Sequence, residues 1–488
     1  MKNKKLDFEF YEPEFLEKRN KRTKVITTIG PVTNSVEKIK ALYENGMNVC
    51  RLNFSHGVQE QHLKTIEFIR TVQKDIKRPV SIMLDTKGPE IRLATNAEGT
   101  LKVVAGQEIT ILSDVTSFNN KKCGAKEFAV SYDMSQDLKP GNQVLVDDGK
   151  LRLDVIKVEK EKIFVKAFNS HDIKNNKRIN LPGVEFSLPF LGTKDKEDII
   201  FGAKYKVDYI AASFVNSAAN VNEIRDILKS NNGEQIQIIS KIESKIGLIN
   251  IDEIIEAGDG IMIARGDLGL EVPYYEVPYW EKRIIRKCRK ANKICIVATQ
   301  MLESMTDNPA PTRAEVTDVY LAAELGADAT MLSGESAAGK YPEITTNVMS
   351  MIDKRAELAF YGKTYYDLAL EMAIRTSSGP EAEIAENLTK KSRDGEYEFA
   401  IVASRTGALL KTISKFRPNI TILGVCESKE NYTKFGVWHS IFMNRVENID
   451  EVFRDEKKLI EIAKHWGAEI GEKVLVARKN KTWEILVK

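Results

Sequence analysis

The chain has 488 residues, 42% of them apolar and 29% charged, enough for several packed cores and too ordered a composition for a disordered chain. Its 73 Lys and Arg stand against 70 Asp and Glu, which excludes a polybasic nucleic-acid binder. Five cysteines with no C-x-x-C pair exclude a disulfide framework and a structural zinc site; with 5 histidines, any metal is expected among carboxylates, as Mg²⁺ would be.

The amino-terminal stretch MKNKKLDFEFYEPEF is charged, broken by Pro13, and lacks the apolar core of a signal peptide. No apolar run approaches the ~20 residues that span a bilayer, so a soluble, cytoplasmic protein with no membrane partner is expected. From Lys24 an alternation begins. Lys24–Ile29, Met47–Leu52 and Val80–Leu84 read as strands, separated by a helix around Val36–Tyr43 and another over Gln59–Ile76. It resumes with strands Val207–Ala212, Ile236–Ile239, Gly260–Ile263, Ile294–Ala298 and Ala329–Leu332, interleaved with helices up to Thr345–Phe360. Eight strand–helix units imply right-handed parallel crossovers, in a closed barrel or an open doubly wound sheet. Nearly every strand ends in a polar cluster, and only a closed barrel brings all eight ends to one rim. The predicted fold is therefore α/β, a (β/α)8 (TIM) barrel built from residues 1–88 and 183–358.

Two further units are predicted. Residues 89–182 carry short β-like runs (Gln107–Leu112, Gln143–Val146, Leu151–Val158, Ile163–Phe168) with turn signals at Pro140–Gly141 and Asp148–Gly149. They read as a small all-β, barrel-like insertion above the rim, placed to act as a lid. Residues 359–488 restart an independent α/β pattern with strands Ala400–Ala403, Ile420–Val425 and Val474–Ala477.

The chemistry concentrates at the strand ends. In Ser240-Lys241-Ile242-Glu243, alternation points Lys241 and Glu243 to one face, as a structural ion pair or as parts of a site. Ala264-Arg265-Gly266-Asp267 ends the next strand, so Asp267 can lie beside Glu243, and two such oxygens suit Mg²⁺ completed by water and substrate phosphate. Gly266 allows close backbone approach to an anion. Arg51, Asn53 and Ser55 alternate onto one face, and Asp85-Thr86 adds a carboxylate and a hydroxyl: a monovalent-cation site, or hydrogen bonding within a turn. His56 reads as a loop histidine or a nucleotide contact. Thr312-Arg313-Ala314-Glu315 reads as a capping box, leaving Thr299 as the site residue of that region.

Together TTIGP (27–31), RLNFSHG (51–57), LDTKGPEIR (84–92), SKIES (240–244), IARGDLG (263–269), ATQMLESM (298–305), PTRAEVTDV (311–319) and MLSGES (331–336) closely resemble the motifs of the pyruvate kinase family, in order from about Thr23 to Pro342. The resemblance implies transfer of the phosphoryl group of phosphoenolpyruvate to MgADP, with Mg²⁺ (or Mn²⁺) and K⁺ as cofactors and a homotetrameric assembly. It assigns Lys241 and Arg51 to the phosphoryl group, Glu243 and Asp267 to Mg²⁺, and Gly266, Asp267 and Thr299 to the substrate carboxylate. It assigns Asn53, Ser55, Asp85 and Thr86 to K⁺, with Glu90 matching the potassium-dependent form of the motif. Asn53, His56, Arg92 and Lys194 would contact the nucleotide, and Thr299 and Ser333 are the candidate hydroxyls, through water, for protonating the enolate. Three departures stand out. Asn216 occupies a position where the family usually has Arg, the C-terminal phosphate loop reads Ser404-Arg405-Thr406-Gly407-Ala408-Leu409 without its last hydroxyl, and a glycine-rich loop near the chain end is missing. They predict no activation by a sugar bisphosphate and leave Arg405, Lys479 and Lys481 for another phosphorylated effector. Without the resemblance, a Mg²⁺-dependent barrel lyase or aldolase and a non-catalytic effector-binding barrel are the competing readings.

Overall fold

A computed structural model of the chain describes residues 13–95, 99–124, 126–185, 187–362, 364–393, 395–479 and 481–488; the stretch 1–12 and Asn480, which figure in the sequence reading, lie outside them. Eight parallel strands close into a barrel: Lys24–Thr28, Val49–Asn53, Ser81–Asp85, Tyr209–Ala212, Gln237–Ile242, Gly260–Ala264, Ile294–Ala298 and Ala329–Leu332. Pairing of Lys24 with Ala329 joins the eighth strand to the first and excludes the open sheet. The crossover helices start where their sequences mark a start. Ser35 and Ser217 accept the N–H groups of Lys38 and Asn220, and Thr312 and Glu315 form the predicted capping box.

Side-chain alternation then sorts the barrel residues. Val25, Leu52, Leu84, Ile238 and Ile242 pack toward the helices in one apolar core. Ile26, Val49, Met83, Ile239, Met262 and Ile296 belong to a second core that is continuous with Phe435, Val437 and Trp438 of the C-terminal segment. Two positions beyond an inward apolar residue lies the carboxyl rim: Arg51 follows Val49, Asp85 follows Met83, and Lys241 follows Ile239. The periodicity that fills the barrel thus delivers charge to its top.

The insertion leaves and re-enters between adjacent strands, because the third and fourth pair directly (Met83 with Tyr209). Its seven-stranded sheet runs in the order Ile91–Arg92, Arg178–Asn180, Gln143–Val146, Leu151–Glu159, Lys162–Ala167, Glu108–Leu112, Glu127–Ala129. A bridge between Leu93 and Val130 ties its two edges together, so the sheet curls around a core that includes Ile111, Phe128, Leu153 and Val165. A two-stranded ribbon, Thr100–Val103 with His171–Lys174, accompanies it.

The C-terminal segment forms a five-stranded sheet, Ile441–Arg445, Thr421–Cys426, Phe399–Ala403, Lys473–Arg478 and Lys481–Leu486, with only the last antiparallel. Ile441–Arg445 escapes the sequence reading because its three apolar residues give way to Asn444 and Arg445 at the sheet edge. Among the described residues no helix is long and apolar enough to cross a membrane, and the five cysteines are free thiols.

Candidate active site

At the rim the predicted residues meet in a continuous run of ion pairs. Asp85 accepts from Arg51 Nε at 2.6 Å and from Lys241 Nζ at 2.9 Å, and Lys241 Nζ lies 3.2 Å from Glu243 Oε1. Arg51 also donates to Thr28 Oγ1 at 2.8 Å, and Lys241 to Ser213 Oγ at 2.7 Å. Glu243 Oε2 accepts the backbone N–H of Phe214 at 2.7 Å, a residue held in the left-handed region (φ 56). All four charged groups are buried, so each depends on the others. Burial pushes the Asp85 carboxyl up, but Arg51 and Lys241 outweigh it and hold it below the ordinary value. Burial likewise lowers the Lys241 ammonium, and Asp85 and Glu243 more than reverse that. Glu243 is pushed up to about 7 by burial, against the pull of Lys241 and with the help of the Asp267 charge.

Asp267 lies in the helix Arg265–Glu271, which begins at the residue after the sixth strand; no turn separates them, and the sequence pattern does not reveal it. Its Oδ1 accepts from Arg178 Nη1 at 2.5 Å, an arginine of the inserted sheet that the sequence does not single out either. Gly266 donates its N–H to Thr299 Oγ1 at 2.8 Å, bringing together two of the three residues assigned to the substrate carboxylate. Thr299 and Gln300 both have positive φ (69 and 53), and the Arg265 guanidinium fixes their loop by donating to Thr299 O at 2.9 Å while pairing with Glu281 and Asp318. Ser333 donates its N–H to Glu335 Oε2 at 2.7 Å, whereas its Oγ is buried and has no hydrogen-bond partner among the described residues.

The donor chemistry fits the expected ions. Glu243 and Asp267 are hard oxygen donors whose like charges oppose each other, an arrangement that a divalent cation relieves. Among the described residues no group of three or more His, Cys, Asp or Glu could hold a metal, so the remaining ligands would be water and substrate oxygens. Asn53 and Asp85 sit side by side in register, with Ser55 in the turn beyond and its N–H on Asn53 Oδ1 at 3.1 Å. Thr86 Oγ1 accepts from Ser213 N at 3.1 Å.

The residues assigned to the nucleotide are more dispersed. Lys194 pairs with Asp198 at 2.5 Å and stands near the Phe54 ring; His62 stacks on the same ring and is bonded to the carbonyl of exposed His56 at 2.9 Å. Neither Phe54 nor His62 is singled out by the sequence, although His62 lies on the helix that follows RLNFSHG. Arg92 pairs with Glu90 at 3.0 Å and donates to Asn176 O at 3.0 Å, both within or beside the inserted sheet. Asn216 links the loop after the fourth strand to the segment after the fifth, its side-chain oxygen accepting from Ser244 Oγ at 2.5 Å and its backbone carbonyl from Asn250 Nδ2 at 2.8 Å. In the C-terminal cleft, Arg405 pairs with Glu427 and Asp450, and Arg478 also pairs with Asp450.

Comparison with known proteins gives a consistent answer. A family model described as the pyruvate kinase barrel domain matches residues 20–346. The pyruvate kinase of Mycoplasma genitalium is 41% identical over 488 residues, covering 91% of this chain and 93% of that protein. That of Clostridium perfringens is 38% identical, covering 93% and 96%. A crystal structure of a pyruvate kinase from Cryptosporidium parvum superposes with a TM-score of 0.88 at 34% identity and covers 98% of both chains. Matches this extensive, over a barrel whose rim joins the SKIE and ARGD segments into one charged cluster, mean that the chain belongs to the pyruvate kinase family.

Proposed function

We infer that the ion-paired cluster at the barrel rim carries out the reaction of the family, transfer of the phosphoryl group of phosphoenolpyruvate to ADP to give pyruvate and ATP, the last ATP-forming step of glycolysis. The observation that carries the assignment is Lys241, whose ammonium joins Asp85, Ser213 and Glu243 at the top of the barrel. A β-phosphate oxygen of ADP attacks phosphorus, the bond to the enolate oxygen breaks, and the terminal enolate carbon takes up a proton. Such a transfer needs positioning and charge neutralisation more than covalent help. With Nε and Nη1 committed to Asp85 and Thr28, Arg51 offers Nη2 to a phosphate oxygen. Lys241 exchanges one of its three side-chain partners for the transferring phosphoryl group and the developing enolate. Gly266 and Thr299 orient the carboxylate, and Thr299 and the unbonded Ser333 hydroxyl supply the proton through water. Mg²⁺ or Mn²⁺, held by Glu243 and Asp267, supplies positive charge for the phosphate and carboxylate oxygens. K⁺ is assigned to Asn53, Ser55, Asp85 and Thr86, and the nucleotide to Asn53, His56, Arg92 and Lys194.

Residues 89–182 act as the lid over a barrel of residues 1–88 and 183–358, and 359–488 serve regulation and assembly. The assembly is a cytoplasmic homotetramer, which light scattering checks. Formation of ATP from phosphoenolpyruvate and ADP, followed with Mg²⁺ and either K⁺ or Na⁺, tests the whole reading. Folded protein that makes no ATP would sink it. The potassium assignment predicts a severalfold lower rate in Na⁺, and equal rates would remove it.

A further inference from the structure

Six charged side chains share the rim, Arg51, Lys241 and Arg178 against Asp85, Glu243 and Asp267, so their formal charges cancel. Arg178 differs from the other two cations in its origin. It comes from the inserted sheet, where Arg178–Asn180 pairs with Ile91–Arg92 and with Gln143–Val146. Its guanidinium also lies over the Phe214 ring at 4.8 Å, and Phe214 is the residue whose N–H holds Glu243. Burial works against the Arg178 charge, and Asp267, Glu243, Glu90 and Asp148 outweigh that. The same short helix is met at two more places: Gly149 of the insertion lies against Leu270, and Gly183, at the junction where the chain returns to the barrel, donates to Glu271 at 3.1 Å.

We propose that Arg178 and a divalent cation compete for the Asp267 carboxylate, so that loading the metal frees the arginine and weakens the hold of the inserted sheet on the helix Arg265–Glu271. The inference rests on Glu243 and Asp267 being the metal ligands. A guanidinium and a divalent cation cannot share one carboxylate oxygen without direct like-charge repulsion, and a cluster already neutral would carry both charges of the incoming ion. The two remaining cations lie deeper, on barrel strands, and cannot withdraw without breaking the barrel rim. Arg178 can, because it belongs to the inserted sheet rather than to the barrel, and its side chain is the most exposed of the three cations.

Titration of Mn²⁺ into the full chain with no substrate added, read by the electron paramagnetic resonance signal of free Mn²⁺, tests this. Arg178→Gln is expected to bind Mn²⁺ about tenfold more tightly than wild type, within the usual range of coupling between two ligands of one site. Arg178→Lys, which keeps the charge and loses the fork, is expected to fall between them and serves if the first variant does not fold. By reciprocity, Mn²⁺ should speed hydrogen exchange of residues 178–180 in wild type. Mn²⁺ affinity equal to or weaker than wild type in folded Arg178 variants overturns the proposal. Glu243→Gln is the separate control: if it binds Mn²⁺ as wild type does, the ligand assignment itself falls.

Discussion

Both ends of the barrel bury charge, and they satisfy it differently. At the floor the partners are largely backbone. Lys24 donates to Ile441 O at 2.7 Å, Glu357 Oε1 accepts the N–H groups of Arg22 and Thr23 at 2.9 and 2.6 Å, and Asp328, paired with Arg417 at 2.8 Å, also accepts from Cys295 N and His439 N. At the rim, side chains chiefly answer side chains, from Arg51 through Asp85 and Lys241 to Glu243. A backbone partner can be replaced only by unfolding, whereas a side-chain partner can be exchanged for a phosphate oxygen or a metal. The floor therefore holds the barrel to the C-terminal sheet, and the rim is left open to ligands.

Lys241→Met should break this contrast most sharply. Turnover is expected to fall about 10³-fold, in the range of losing a donor to transition-state charge. The fold should survive because Asp85 keeps Arg51 and Glu243 can hold a proton; steady-state rates and circular dichroism read the two halves. Near-wild-type turnover would remove its role. Arg417→Met at the floor should do the reverse, lowering stability by about 3 kcal/mol by leaving Asp328 without its buried cation, with the rate per folded molecule unchanged. Urea unfolding measures it, and a rate loss without destabilisation would contradict the division.

The smallest effect concerns His439. Burial, reinforced by Arg417, Arg22, Lys24 and Arg289, holds its imidazole neutral and well below the ordinary value. In the unfolded chain it takes up a proton near pH 6.5, so its contribution is complete above that pH and is lost as pH falls, by up to about 1.4 kcal/mol per unit. Between about pH 7.5 and 5.5, His439→Asn should lose roughly 1.3 kcal/mol less stability than wild type. Equal losses would show that the histidine is not kept neutral by the fold.

Much of the barrel and its rim is legible in the sequence. Alternation alone places Arg51, Asp85 and Lys241 above apolar layers, since period two is a local property of each strand. What stays hidden is non-local. Arg178 meets Asp267 across 89 residues of chain, and nothing around Asn176–Asn180 marks that arginine as facing the barrel. The helix at Arg265 is hidden because it follows its strand without a turn residue, and the Phe54–His62 stack because it joins a strand end to the next helix. The activity itself is read from the motifs, which alternation and composition narrow only to a metal-using barrel.

The paired left-handed residues Thr299 and Gln300 carry a last consequence. Each holds a conformation that glycine adopts at lower cost, by about 1 kcal/mol or more. Gln300 is exposed, so glycine there would harden the fold while giving the Thr299 hydroxyl a looser hinge beside it. Selection for heat resistance and selection for turnover would thus pull this one position in opposite directions.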